Sequence, residues 1–105
     1  MNNVRILLCC GAGMSSGFLA QRARQVAKKK KINATIDARS ESDVNQYFSQ
    51  IDILLVGPHY KAAMEGLKKE CEPYGVPVVL IPQEVYATLD GEALLKLAME
   101  TLDKK

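Results

Sequence analysis

Hydrophobic positions along the chain fall into short continuous runs, separated by stretches in which they recur every three or four residues. Continuous apolar runs of four to six residues are typical of strands buried on both faces. They predict strands at Val4–Cys9, Ile53–Val56 and Val78–Ile81. In Ile32–Ala38 apolar and polar residues alternate strictly, which predicts a half-exposed strand at the edge of a sheet.

The stretches between these strands have the periodicity of helices with one apolar face. The predicted helices are Ser15–Lys30, a short helix containing Val44, Tyr47 and Phe48, Lys61–Glu72, a turn or half-helix around Val85 and Tyr86, and a last helix that follows Asp90-Gly91. Ser15 or Ser16 can cap the start of the first helix. The run Ser40–Asp43 resembles a capping box before the second helix.

Strands that alternate with helices predict a parallel sheet, because parallel neighbours need crossover connections. Right-handed crossovers then place helices on both faces of the sheet. With the second strand at an edge and the other three more buried, we expect a single α/β domain over residues 1–105, with a four-stranded sheet in the order 2-1-3-4. Ligands bind such sheets where the strand order reverses, here at the carboxyl ends of the first and third strands.

Composition narrows the class of protein without naming an activity. The chain has 105 residues and a formal net charge of +2, which fits one compact domain and is too mild to indicate nucleic-acid binding. No stretch approaches the ~20 apolar residues of a membrane span. Met1–Asn3 leads directly into a strand pattern, so we expect no secretory leader, a cytoplasmic location and reduced thiols.

The candidate chemistry lies directly after the first predicted strand. Two cysteines are followed by small residues and then by a helix start, an order that forms anion-binding sites because backbone N–H groups converge there. The residues that would hold the anion are Gly11, Ala12, Gly13, Met14, Ser15 and Ser16. A helix N-terminus also favours thiolate over thiol. Cys10 is therefore a candidate nucleophile toward a phosphoryl group, although the residues alone leave a structural role for it equally open.

The other cysteines fit structural roles better. Adjacent residues of a strand point to opposite faces, so we expect Cys9 to face the core, and Cys71 lies on the apolar face of a predicted helix. With a single histidine and no Cys-x-x-Cys spacing, neither a metal site nor a dithiol redox site is predicted. We expect no cofactor.

Two other functions share the same loop chemistry. A cysteine phosphatase needs Cys-x5-Arg, whose arginine clamps the phosphoryl oxygens, and here Ser16 stands at the arginine position. The absent arginine favours a carrier of phosphate over a hydrolase. A non-catalytic module that senses an anion with this loop is the third possibility.

The loop and two later segments resemble the lactose/cellobiose (including chitobiose) group of enzyme IIB components of the sugar phosphotransferase system. The matching residues are the run Leu7–Ser16, the segment Leu54–Pro58, Tyr86 and Asp90-Gly91. The resemblance implies that Cys10 accepts phosphate from a phosphohistidine of a IIA protein and passes it to a sugar, such as cellobiose, chitobiose or lactose, bound by a membrane IIC permease. We expect no nucleic-acid partner, because the net charge is mild, and we expect a monomer.

One position departs from that family's pattern. His59 follows Gly57-Pro58, where the family commonly has glutamine, and it is either an exposed loop residue or an auxiliary group at the phosphocysteine. Because two proteins must meet around the loop, its rim is expected to be an apolar interaction surface. Phe18, Met14 and Tyr60 are the candidates for that surface, and each could equally belong to the core.

Overall fold

The computed structural model of the chain describes residues 3–9, 14–40 and 43–103, and for residues 14–16 and 59 it describes the backbone alone. The strands are β1 (Val4–Cys9), β2 (Ala34–Arg39), β3 (Ile53–Val56) and β4 (Val78–Leu80). The α-helices are α1 (Met14–Lys29), α2 (Met64–Cys71), α3 (Gln83–Thr88) and α4 (Gly91–Asp103). Short 3₁₀ helices occupy Val44–Gln50, Pro58–Ala63 and Glu72–Tyr74.

The four strands form one parallel sheet in the order β2-β1-β3-β4, which confirms the predicted topology. β1 is central: Leu8 pairs with Ala38 of β2 on one side and with Leu55 of β3 on the other. The direction of the connections reverses between β1 and β3. The carboxyl ends of these two strands therefore form the crevice in which ligands bind in sheets of this kind.

The sheet is covered on both faces, as predicted, because its central strands β1 and β3 are apolar at every position except Arg5. Ile6 and Leu8 of β1 pack with α1, α3 and α4 in one buried cluster. Leu7 and Cys9 point the other way and pack with the 3₁₀ helix Val44–Gln50 and with α2 in a second cluster. Each fully buried apolar side chain of this kind stabilises the fold by roughly 1.5–3 kcal/mol.

The fourth strand differs from the prediction. It was expected to be buried, but Val78, Val79 and Leu80 are all half-buried. The reason is its position: β4 pairs with β3 alone, so its other side is an open edge of the sheet. β2, the edge strand that the alternating pattern did predict, extends one residue beyond the prediction and ends at Arg39.

The second strand begins later than predicted because Ile32 takes part in the end of α1. The Ile32 N–H donates to the Ala27 carbonyl at 2.8 Å, and the Lys31 N–H donates to the Lys28 carbonyl at 3.2 Å. This pair of bonds is a Schellman motif, which requires a left-handed residue just past the helix. Lys31 takes that conformation, with φ of 59°, where glycine is the usual residue.

The start of α4 lies directly against the middle of α1. The Asp90 carboxylate accepts a hydrogen bond from the Ala93 N–H at 3.0 Å and so caps the helix. A methyl group at Gly91 would lie 2.5 Å from the backbone nitrogen of Ala23, closer than real contacts allow. The absence of a side chain at Gly91 thus lets α4 fix the position of α1, the helix that follows the cysteine loop.

Candidate functional site

The carboxyl ends of β1 and β3 are tied together beyond their regular pairing. Cys9 is the register partner of Val56, and the Gly57 N–H donates to the Cys9 carbonyl at 2.9 Å. The Cys9 side chain has no exposed surface and belongs to the second buried cluster, as the sequence predicted. The last described residue before the loop is therefore held rigidly in the core.

The helix that follows the loop begins at Met14, so Met14, Ser15 and Ser16 form its first turn. Its first turn contains no acidic residue that would neutralise the positive pole of the helix dipole, so this pole can attract an anion. Lys28 and Lys29 lie in its last turn, beside the negative pole. The other predicted site residues, Cys10, Gly11, Ala12 and Gly13, lie outside the described residues.

The segment after β3 is a 3₁₀ helix, Pro58–Ala63, where the sequence predicted only a loop followed by an α-helix from Lys61. The Tyr60 N–H donates to the Gly57 carbonyl at 2.9 Å and opens this helix. The backbone of His59 lies in its first turn, and its side chain is outside the described part of the structure. Tyr60, a candidate for the rim, is half-buried and packs against the second buried cluster.

The other described candidate for the rim is exposed. Phe18 lies in the first half of α1, and 55% of its surface is accessible, which is unusual for so large an apolar side chain. Its position is on the helix that follows the loop and near the amino end of that helix. The exposure of Phe18 is compatible with the expected interaction surface, whose role as a contact for another protein stays a prediction.

Arg39 is a charged residue at this end of the sheet that sequence reasoning missed. It is the last residue of β2 and the register partner of Cys9. Its guanidinium carbon lies 5.2 Å from the centre of the Tyr47 ring, and its Nε donates to the Tyr47 hydroxyl at 3.3 Å. That hydrogen bond raises the pKa of Arg39 above its usual value, so the side chain is cationic at any physiological pH.

Cys71 is unsuited to nucleophilic chemistry. Its side chain has no exposed surface, and burial, assisted by the neighbouring Glu70 carboxylate, raises the pKa of its thiol to about 11. At neutral pH it is a protonated apolar group of the second cluster. This agrees with the structural role that its place on an apolar helix face predicted.

Comparison with known proteins decides the family. The model of the PTS system, Lactose/Cellobiose specific IIB subunit, matches residues 5–97. The chain belongs to this IIB family. A solved structure of the cellobiose-specific phosphotransferase IIB component protein from Borrelia burgdorferi is 36% identical, covers 99% of this chain and 95% of its own, and superposes with a TM-score of 0.82.

Curated relatives place this IIB chain among proteins named for different sugars. The oligo-beta-mannoside-specific EIIB component of Bacillus subtilis is 26% identical over 93% of this chain and 95% of its own length. The lactose-specific EIICB component of Lacticaseibacillus casei is 25% identical over 91% of this chain, which matches 17% of that longer protein. In that relative a IIB portion and a IIC portion share one polypeptide, as its name states.

Membership of the family establishes the general activity. IIB components are phosphotransferase components of sugar-specific phosphotransferase systems, and they work with IIA and IIC partners. None of the helices within residues 3–9, 14–40 and 43–103 is long and apolar enough to cross a membrane.

Proposed function

We propose that this IIB protein carries a phosphoryl group on Cys10, as the resemblance of its loop predicts. The observation that supports this most directly is the position of Cys10 in the chain. It follows Cys9, which is anchored in the core at the crevice between β1 and β3, and it precedes by four residues a helix whose first turn bears no acid. That order supplies backbone donors and a positive dipole where the phosphoryl oxygens must lie.

The transfer proceeds in two displacements. The Cys10 thiolate attacks the phosphorus of a phosphohistidine on the IIA donor, so that an S–P bond forms while the N–P bond breaks and the imidazole nitrogen keeps the electron pair. A sugar hydroxyl then attacks the same phosphorus, the S–P bond breaks with its electrons on sulfur, and the hydroxyl proton passes to a base or to solvent. Positioning and charge stabilisation supply most of the catalysis in such transfers.

The remaining loop residues hold the phosphoryl group in this proposal. Gly11, Ala12 and Gly13 allow backbone N–H groups to approach it closely, and Ser15 and Ser16 offer hydroxyl donors in addition. Met14 contributes its backbone at the start of α1. His59, at the start of the neighbouring 3₁₀ helix, is proposed as an auxiliary group, since its backbone lies directly after the end of β3.

IIB components work with a IIA and a IIC partner, and the family resemblance suggests what each of them contributes. The phosphoryl donor is a IIA protein and the acceptor is a β-glucoside or disaccharide such as cellobiose, chitobiose or lactose, held by a membrane IIC permease. We place the protein in the cytoplasm as a monomer, where both partners can reach the loop. Mass spectrometry after incubation with general phosphotransferase components and candidate sugars would identify the sugar.

The identity of the carrier residue is tested by separating the two adjacent cysteines. Cys10→Ser is expected to take no stable label from a phosphorylated IIA protein, because a serine hydroxyl is not ionised at neutral pH. Cys9→Ser, and Cys71→Ser as a second control, are expected to be labelled like the wild type, because both residues are buried. Intact-mass and peptide mass spectrometry would measure the label.

The outcome that contradicts the proposal is equally specific. Loss of labelling in a folded Cys9→Ser variant, with labelling retained in Cys10→Ser, would identify Cys9, and not Cys10, as the residue that carries the phosphoryl group. Release of inorganic phosphate from an aryl phosphate, abolished in Cys10→Ser, would instead make the protein a phosphatase. Thermal unfolding of each variant shows whether the fold has been kept.

A further inference from the structure

The outer edge of β2 offers a row of backbone groups to another strand. β2 has six residues and pairs with β1 alone. The Asn33 carbonyl accepts from the Val4 N–H of β1 at 2.9 Å, and the backbone groups of the following residues point alternately away from β1 and toward it. The N–H and C=O groups of Ala34, Ile36 and Ala38 therefore point outward. Such a row is a template on which a further strand can add to the sheet.

Arg24 covers the middle of this edge. It reaches from α1 to β2, and its Nε donates to the outward carbonyl of Ile36 at 2.6 Å. Its Nη2 lies 3.2 Å from the Asp37 carboxylate, which holds the guanidinium in this position. Ile36 is only 1% exposed although it lies on an edge strand, so its backbone is covered as well as its side chain. An added strand would run about 4.8 Å from β2, in the space that Arg24 occupies.

Arg39 covers the carboxyl end of the same edge. Its Nη1 turns back and donates to the outward carbonyl of Ala38 at 2.9 Å. The hydroxyl and the ring of Tyr47 hold the guanidinium, at 3.3 Å from Nε and 5.2 Å from the guanidinium carbon respectively. Two of the three outward carbonyls of β2 thus accept a hydrogen bond from an arginine. Exposed charges along an edge strand also repel a second strand that carries the same charges.

The opposite edge of the sheet is protected in another way. β4 has only three residues, and the Pro77 carbonyl accepts from the Leu54 N–H of β3 at 3.0 Å. By the same alternation, Val78 and Leu80 are the residues of this strand that face outward. Pro77 and Pro82, on either side of the strand, have no N–H group to offer to an added strand. A strand this short is a poor template, so the longer β2 edge is the one that needs side chains to cover it.

We propose that Arg24 and Arg39 keep the β2 edge from pairing with a second copy of this chain. The edge is an interaction surface that fits its own copy, and the two arginines cover it. Around a twofold axis β2 would pair with β2 of the other copy in antiparallel orientation, each Ile36 opposite its counterpart. In that register Asp37 faces Thr35, so no like charges meet once the arginines are gone. The inference goes beyond phosphoryl transfer and gives the proposed monomer a structural cause.

The test compares Arg24→Ala and the double variant Arg24→Ala/Arg39→Ala with Arg22→Ala. Arg22 is the matched control, because it is an exposed arginine of the same helix and its replacement changes the net charge as Arg24→Ala does. Sedimentation velocity from micromolar to millimolar concentration measures the mass of each protein. The wild type and Arg22→Ala are expected to keep the mass of one chain. Arg24→Ala is expected to shift toward twice that mass, and the double variant to dimerise with a dissociation constant at least about tenfold lower.

Hydrogen exchange locates the contact between the copies. In both variants that lack Arg24, the Ile36 amide is expected to exchange at least about tenfold more slowly as the concentration rises and β2 pairs with its copy. Urea midpoints show that all variants are folded. A double variant that stays monomeric, an equal shift in Arg22→Ala, or a dimer without slower exchange at Ile36 would overturn the inference. A dimeric wild type would overturn it together with the proposed monomer, whereas labelling of Cys10 tests phosphoryl transfer separately.

Discussion

Cys71 shows how burial changes the chemistry of a single residue. The pKa of its thiol is raised from 9.0 to about 11, mainly because burial disfavours the thiolate and secondarily because Glu70 is close. The folded protein therefore holds this proton more tightly than the unfolded chain does. The stability that this provides is fully present below about pH 9 and is lost as the pH rises toward about 11.

The prediction at this scale concerns alkaline unfolding. Between about pH 8 and about pH 10.5 the wild type is expected to lose up to about 2 kcal/mol more stability than Cys71→Ala, which has no thiol to ionise. Urea titrations at both pH values measure the difference. The variant is less stable throughout because of its cavity, so the comparison is between slopes. Parallel pH profiles of the two proteins would show that the thiol is not held protonated by the fold.

Single residues also show what the sequence could and could not predict at the site. Neighbouring residues of a strand face opposite ways, and this alternation predicted that Cys9 faces the core. The burial of Cys9 confirms that prediction. Arg39 was missed because the apolar positions of the alternating pattern end at Ala38. Its partner Tyr47 lies in a 3₁₀ helix whose place beside β2 is set by tertiary packing, which no local pattern contains.

At the scale of elements, continuous apolar runs predicted where strands lie in the chain. They did not predict how exposed each strand is in the sheet. β1 and β3 have the predicted bounds, and β3 is followed directly by Gly57-Pro58, which does not continue a strand. The exposure of β4 depends on how many neighbours it has, which is a property of the whole sheet. The boundary between α1 and β2 was missed because Lys31 adopts a left-handed conformation that sequence patterns associate with glycine.

The contact between two helices gives the prediction at the scale of elements. Gly91→Ala is expected to destabilise the protein by about 1–3 kcal/mol, because its methyl group would meet the backbone of Arg22 and Ala23. Gly66→Ala is the matched control, since Gly66 lies within α2 with open space around it. It is expected to stabilise by up to about 1 kcal/mol through helix propensity. Urea unfolding measures both, and an equal effect of the two substitutions would contradict the close approach.

On the scale of the whole molecule, two large apolar side chains are exposed at opposite ends of the sheet. Among the described residues these are Phe18, 55% exposed, and Tyr74, 53% exposed. Phe18 is near the amino end of α1 and so lies toward the carboxyl ends of the strands. Tyr74 precedes β4 and so lies toward the amino ends of the strands. Of the two, Phe18 lies at the end of the sheet where the proposed function brings a phosphoryl donor.

This difference yields the prediction for the whole molecule. Phe18→Ala is expected to lower kcat/KM for phosphorylation by a phosphorylated IIA protein by about tenfold, mainly through KM, as loss of an aromatic contact at an interface does. Tyr74→Ala removes an equally exposed ring from the far end and is expected to leave kcat/KM unchanged. Steady-state labelling at several donor concentrations separates KM from kcat. Equal effects of the two variants would argue against a docking surface around Phe18.

The complete burial of Cys9 and Cys71 has a practical consequence for chemical labelling. The chain has three cysteines, and the folded core denies reagents access to two of them. A fluorophore or spin label added to the folded, unmutated protein is therefore not expected to react at Cys9 or Cys71, and under the proposed function it is expected to react at Cys10. Under the proposed function, phosphorylation of Cys10 is expected to protect it from alkylation, so that the rate of alkylation would report occupation by phosphate in real time.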